Sequence, residues 1–142
     1  MFKKILLPLD LGEQSSWKKA LPAALLHARS EGGSLTLLTV VPDFGETMIE
    51  NYFPSDFPEQ AEAGAKKELE AFLAANVPAD VRSQAIVRTG SIYHEIIETA
   101  REIGADLIVM ASHRPALSDY LLGPNAGHVV RHARCSVLVV RD

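Results

Sequence analysis

The expected fold is α/β: one open, doubly wound, parallel sheet of five strands in the order 3-2-1-4-5, with helices on both faces. Three features lead there. The short apolar runs are continuous rather than alternating, as strands are when both faces of their sheet are buried. Segments with helical spacing separate them, so the chain reads β-α-β-α-β-α-β-α-β. At 142 residues the chain has the length of a single domain with one sheet. Right-handed crossovers between parallel strands then give a Rossmann-like three-layer sandwich spanning residues 1–142.

The elements follow in order. "KKILLPLD" is a buried strand closed by a turn signal. A helix is expected from about Glu13 to Glu31, with Trp17, Ala20, Leu21, Ala24, Leu25 and Ala28 on one face. Pro22 should kink it, and Gly32 and Gly33 should stop it. "SLTLLTVV" is the second strand. A second helix runs from Glu59 to Asn76, with Ala61, Ala65, Leu69, Phe72 and Leu73 on its apolar face. "VRSQAIVR" is the third strand. The helix from Ser91 to Ile103 has Ser91 as N-cap, Glu95 near its first turn and Gly104 as its stop. "DLIVMAS" is the fourth strand and "SVLVVR" the fifth, with a helix after Gly123 between them that carries Ala126, Val129, Val130 and Ala133. No internal repeat is present.

The segment "PDFGETMIENYFPSDFPEQ", Pro42 to Gln60, is long for a connection and holds Met48, Ile49, Tyr52, Phe53 and Phe57. It reads equally as a surface loop packing its own aromatics or as a cover, since it leaves the sheet at the same edge as the loops after strands one and four.

Composition narrows the function. A net charge of -4 with dispersed basic residues argues against a nucleic-acid partner. The single cysteine, Cys135, excludes an internal disulfide framework. The apolar run in "MFKKILLPLD" is too short for a secretory signal, and no stretch approaches the roughly 18 apolar residues of a membrane span. A cytoplasmic protein is expected.

In a sheet of this order, ligands bind beyond the carboxyl ends of the strands where the order reverses, here between strands one and four. Pro8, Leu9, Asp10 and Leu11 border that crevice on one side; Ala111, Ser112, His113 and Arg114 border it on the other. Gly123 opens the following helix, whose N-terminal amides and dipole attract an anion. Pro124 fits the first helical position but lacks an N–H, which leaves the amides of Asn125 and Ala126, with the Asn125 side chain and the Arg114 guanidinium as supplements. These residues fit a plain capped connection and a phosphate cradle equally well. Asp10 likewise reads as a turn cap or as an acceptor for a base amino group or sugar hydroxyl.

Other signals carry less. His128 and His132 stand four apart, a metal-binding spacing, but helical rotation turns both away from Ala126, Val129, Val130 and Ala133, toward solvent, with no third ligand evident. His113 reads first as a hydrogen-bonded loop histidine. Cys135 reads as a buried or edge thiol. A phosphotransfer receiver would need acids at the ends of strands one and three, and Arg88 to Gly90 offers none. No catalytic residue and no protein metal site is assigned.

With "ILLPLD", "ASHRP", "YLLGPNA" and "VVRHARCSVLVVR" in this order of elements, the whole chain resembles the universal stress protein family, in particular its small single-domain bacterial members. The resemblance implies a dimer formed through the last strand, Ser136 to Arg141, and ATP or another adenine nucleotide in the crevice, with Mg2+ accompanying it. The family's motif is Gly, two residues, Gly, nine residues, Gly, then Ser or Thr. Here those positions hold Ala111, Arg114, Gly123 and Pro124, and eight residues separate Arg114 from Gly123. The adenine end matches better: Asp10 aligns with the strand-one aspartate, and Val40 stands where main-chain atoms read the adenine edge. The implied nucleotide site is Pro8, Leu9, Asp10, Val40, Met110, Ala111, His113, Arg114, Gly123, Asn125 and Ala126. Its phosphate grip should be weakened, so AMP and ADP should compete well with ATP. The implied role is a stress-response sensor or regulator with at most slow ATP hydrolysis or self-phosphorylation. The alternative is a nucleotide-free dimeric interaction module acting through the 42–60 loop.

Overall fold

The structure is a computed structural model and describes residues 1–42, 57–112 and 125–141. Five strands, β1 (Lys4–Pro8), β2 (Ser34–Pro42), β3 (Arg82–Gly90), β4 (Leu107–Ser112) and β5 (Ser136–Arg141), form one parallel sheet in the order β3-β2-β1-β4-β5. The expected topology is the observed one.

Alternate residues of each strand serve two cores, which is why the strands read as unbroken apolar runs. Ile5, Leu7, Leu35, Leu37, Leu107 and Val109 point to one face and pack with α1 (Ala20–Ser30) and α2 (Phe57–Asn76). Leu6, Leu38, Ile108 and Met110 point to the other, where Ile96 and Ala100 of α3 (Ile92–Ile103) and Val129 of α4 (Gly127–His132) meet them.

Several boundaries differ from the expected ones. Residues Gln14–Ser16 form a single 3-10 turn, and α1 starts only at Ala20. Pro22 therefore lies in the first turn, where its missing N–H has no helical partner to lose, and it does not interrupt a helix. Trp17 sits ahead of α1 and packs edge-on against Phe72 of α2, ring centroids 4.9 Å apart. Helix α2 begins at Phe57 rather than Glu59. Helix α3 ends where expected, at Gly104, with φ of 68°. Helix α4 has only six residues, and of its expected apolar face Val130 is 55% exposed. Most of the 42–60 segment, residues 43–56, lies outside the described residues. Among the described residues no helix is long and apolar enough to cross a membrane.

Candidate functional site

The crevice follows from strand register. β1 stays on β2 as far as Pro8 opposite Leu38, and the Leu9 N–H extends the contact to Leu38 O at 2.9 Å. On its other side β1 pairs with β4 only over Ile5–Leu6 and Leu107–Ile108. Beyond Leu6 the two strands part, and the opening is a cavity of about 380 Å³. Pro8, Leu9, Asp10, Val40, Met110, Ala111 and Asn125, all expected site residues, line it together. Ala126 does not: its side chain is buried in the second core beside Ile96 and Val129. His113, Arg114 and Gly123, with Pro124, lie outside the described residues.

The walls are largely apolar, with Ile92 and Ile96 of α3 lining the cavity alongside Leu9 and Val40. Polar groups gather where β1 ends. The Asp10 carboxylate accepts the Gly12 N–H on Oδ1 at 2.9 Å, a local turn cap, while among the described residues Oδ2 takes no hydrogen bond. Asp10 thus serves as a cap and, among the described residues, keeps one acceptor oxygen without a partner. The Thr39 hydroxyl donates to Leu9 O at 3.2 Å and ties the ends of β1 and β2. Ser16, from the 3-10 turn, holds the main chain of Asp10: its Oγ accepts the Asp10 N–H at 2.9 Å and donates to Asp10 O and Glu13 O at 2.8 and 2.7 Å.

Glu13, Ser16, Thr39 and Ile92 border the cavity without having been singled out from sequence. Thr39 adjoins Val40 and was within reach of the same reasoning. Ser16 was not, because it arrives through a turn that doubles back on Asp10.

A second hollow, about 430 Å³, lies at the opposite end of the sheet, between the C-terminal ends of α3 and α4, lined in part by Arg101, His132, Arg134 and Cys135. Arg101 is already held by Glu98 at 2.9 Å, and basic side chains at helix C-termini answer the negative dipole ends there. Hydrogen bonding to Arg101 holds the Glu98 carboxyl below its ordinary range, and the same bond raises Arg101. Cys135 is half-buried, and burial pushes its thiol up, with the Asp106 charge adding to the effect.

The histidine pair differs from expectation. His132 is exposed, but His128 is half-buried with its ring stacked on Tyr93 of α3, centroids 4.5 Å apart. His132 lies parallel to His128 at 6.2 Å. Among the described residues no three His, Cys, Asp or Glu side chains gather as a metal site.

Residues 1–141 match the family described as the Universal stress protein family. The universal stress protein G of Shigella flexneri is 35% identical over 144 aligned positions, covering 99% of this chain and all of that one. Among solved structures, the hypothetical protein MJ0577 superposes with a TM-score of 0.82 at 25% identity, over 100% of this chain and 97% of that one. A universal stress protein family protein from Arabidopsis thaliana, solved with AMP bound, superposes with a TM-score of 0.67 at 20% identity, over 98% of this chain and 91% of that one.

Proposed function

The chain belongs to the universal stress protein family, and from that premise we propose that its β1–β4 cavity binds an adenine nucleotide and that the protein works as a dimeric stress-response regulator. The observation that carries the reading is the convergence, in one cavity of small-molecule size, of Pro8, Leu9, Asp10, Val40, Met110, Ala111 and Asn125 from four separate parts of the chain. Apolar walls suit a planar base. The free Asp10 Oδ2 suits a donor, such as the base amino group or a ribose hydroxyl. The AMP carried by the Arabidopsis thaliana relative supports the same ligand class.

The phosphate end is weaker by chemistry. Pro124 offers neither a hydroxyl nor an amide N–H, so binding rests more on the nucleoside than on the phosphates. A divalent cation would accompany the polyphosphate. Nucleotide occupancy would act by changing which surface of the protein partners meet.

Calorimetric titration with AMP, ADP and ATP tests the reading. All three should bind, with AMP and ADP within about tenfold of ATP. Asp10→Ala should weaken each by about 10- to 100-fold, the usual worth of a hydrogen bond to a charged group. Absence of both heat and thermal stabilisation with all three would remove the proposal.

A further inference from the structure

Asp10 is presented by a seven-residue loop that closes on a single atom. Past the end of β1 at Pro8, the chain from Asp10 to Ser16 turns at Leu11 and Gly12 and returns through the 3-10 turn. The Ser16 Oγ sits at the closure. It accepts the Asp10 N–H, and its one proton is shared between Asp10 O and Glu13 O. Asp10 O also accepts the Glu13 N–H at 3.0 Å, and Asp10 Oδ1 takes the Gly12 N–H. Every polar atom of Asp10 except Oδ2 is therefore committed inside this ring, and Asp10, its main chain so held, lines the cavity. Ser16 itself borders the cavity.

We propose that Ser16 is the positioning residue of this cavity: its hydroxyl holds the Asp10 main chain so that the free Asp10 carboxylate oxygen meets the ligand already oriented. The inference rests on the nucleotide reading above. Without the hydroxyl, the Asp10 N–H loses its partner, and the loop must be ordered at the expense of binding. No other side-chain type of this size does the same work: the role needs one atom that accepts and donates at once.

Ser16→Ala should weaken AMP binding about 5- to 30-fold, the equilibrium effect of leaving one residue's backbone to be ordered by the ligand. Ser16→Cys, which keeps the volume and makes only weak hydrogen bonds, should show a similar loss, and serves if the alanine variant folds poorly. Ser16→Thr, which keeps the hydroxyl, should stay within about threefold of the native affinity. The decisive measurement is the double substitution. Because Ser16 acts through Asp10, adding Ser16→Ala to Asp10→Ala should change the affinity no further. Native affinity in Ser16→Ala and Ser16→Cys would overturn the proposal. So would an equal second loss in the Asp10→Ala background, which would mark Ser16 as an independent contact or a general stabiliser. If the unaltered protein takes up no nucleotide, the nucleotide reading fails and this inference falls with it. If the unaltered protein binds and the Ser16 variants bind equally well, only the positioning role fails.

Discussion

Cys135 is the single cysteine of the chain, and its surroundings make it a poor nucleophile. Burial is the larger cause and the Asp106 charge the smaller; both favour the neutral thiol, so the thiolate fraction at a given pH is lower than in a free cysteine. Iodoacetamide at pH 8 should therefore label the native protein more slowly than it labels a small thiol, and unfolding in urea should remove the difference. A native rate equal to that of a free thiol would contradict the assignment. Asp80 moves the other way. Hydrogen bonding to Arg29, at 3.2 Å, holds its carboxyl below the ordinary value. A depressed carboxylate contributes stability above its unfolded pKa and loses it as pH falls through the folded one. Asp80→Asn should accordingly lower the urea midpoint slightly at pH 6 and leave it unchanged near pH 2. An equal shift at both pH values would show that charge is not the cause.

Helix ends and buried anchors decide the secondary elements. Gly104 closes α3 in the left-handed region, φ 68°, where a Cβ is strained even though its nearest neighbour, Lys4 Nζ, would lie at an ordinary 3.8 Å. Gly104→Ala should cost about 1 kcal/mol in chemical denaturation. Leu69 is fully buried on α2 and fixes that helix to the first core; Leu69→Ala should cost about 2–5 kcal/mol, and a cost below 1 would show that α2 is not anchored there. These same elements explain what could be read beforehand. Strands buried on both faces leave an unmistakable apolar record, and β5 was delimited residue for residue at Ser136 and Arg141. Helical spacing extended α1 too far toward Glu13, because Trp17 keeps the spacing while packing on Phe72 from outside the helix. Val130 fits a helical face on paper, but a six-residue helix covers too little surface to bury it. At the cavity, Asp10 was legible from its place at the end of the first strand, and Val40 from the family resemblance. Ser16 was not, because its value comes from a hydroxyl folded back across a non-periodic turn, which leaves no pattern in sequence.

The sheet has two outer strands, and they are protected differently. β3 carries Arg82 and Arg88, the latter held by Glu102 at 2.6 Å, and the Lys66 ammonium from α2 takes the Ala85 carbonyl. Charges and an occupied carbonyl discourage a further strand. β5 lies at the other margin with no charged residue between Ser136 and Arg141, and Val137 to Val140 are only half-buried. This contrast supports pairing of two copies through β5. Light scattering should find the protein as a dimer at micromolar concentration. Leu138 and Val140 pack on the first core and Val137 on the second, so Val139 is the substitution least costly to the fold. Val139→Lys should give a monomer whose thermal midpoint is within a few degrees of the monomeric limit. A monomeric native protein would dismiss the pairing.

Among the described residues, Lys66 and the arginines guard the β3 flank, which leaves β5 as the unguarded edge of the sheet. In the proposed pair both copies would use up that edge, so growth would terminate at a closed pair and higher concentration would fill pairs instead of lengthening a fibril. Charge removal on β3, by contrast, would give every molecule a second adhesive side and open the way to chains without end.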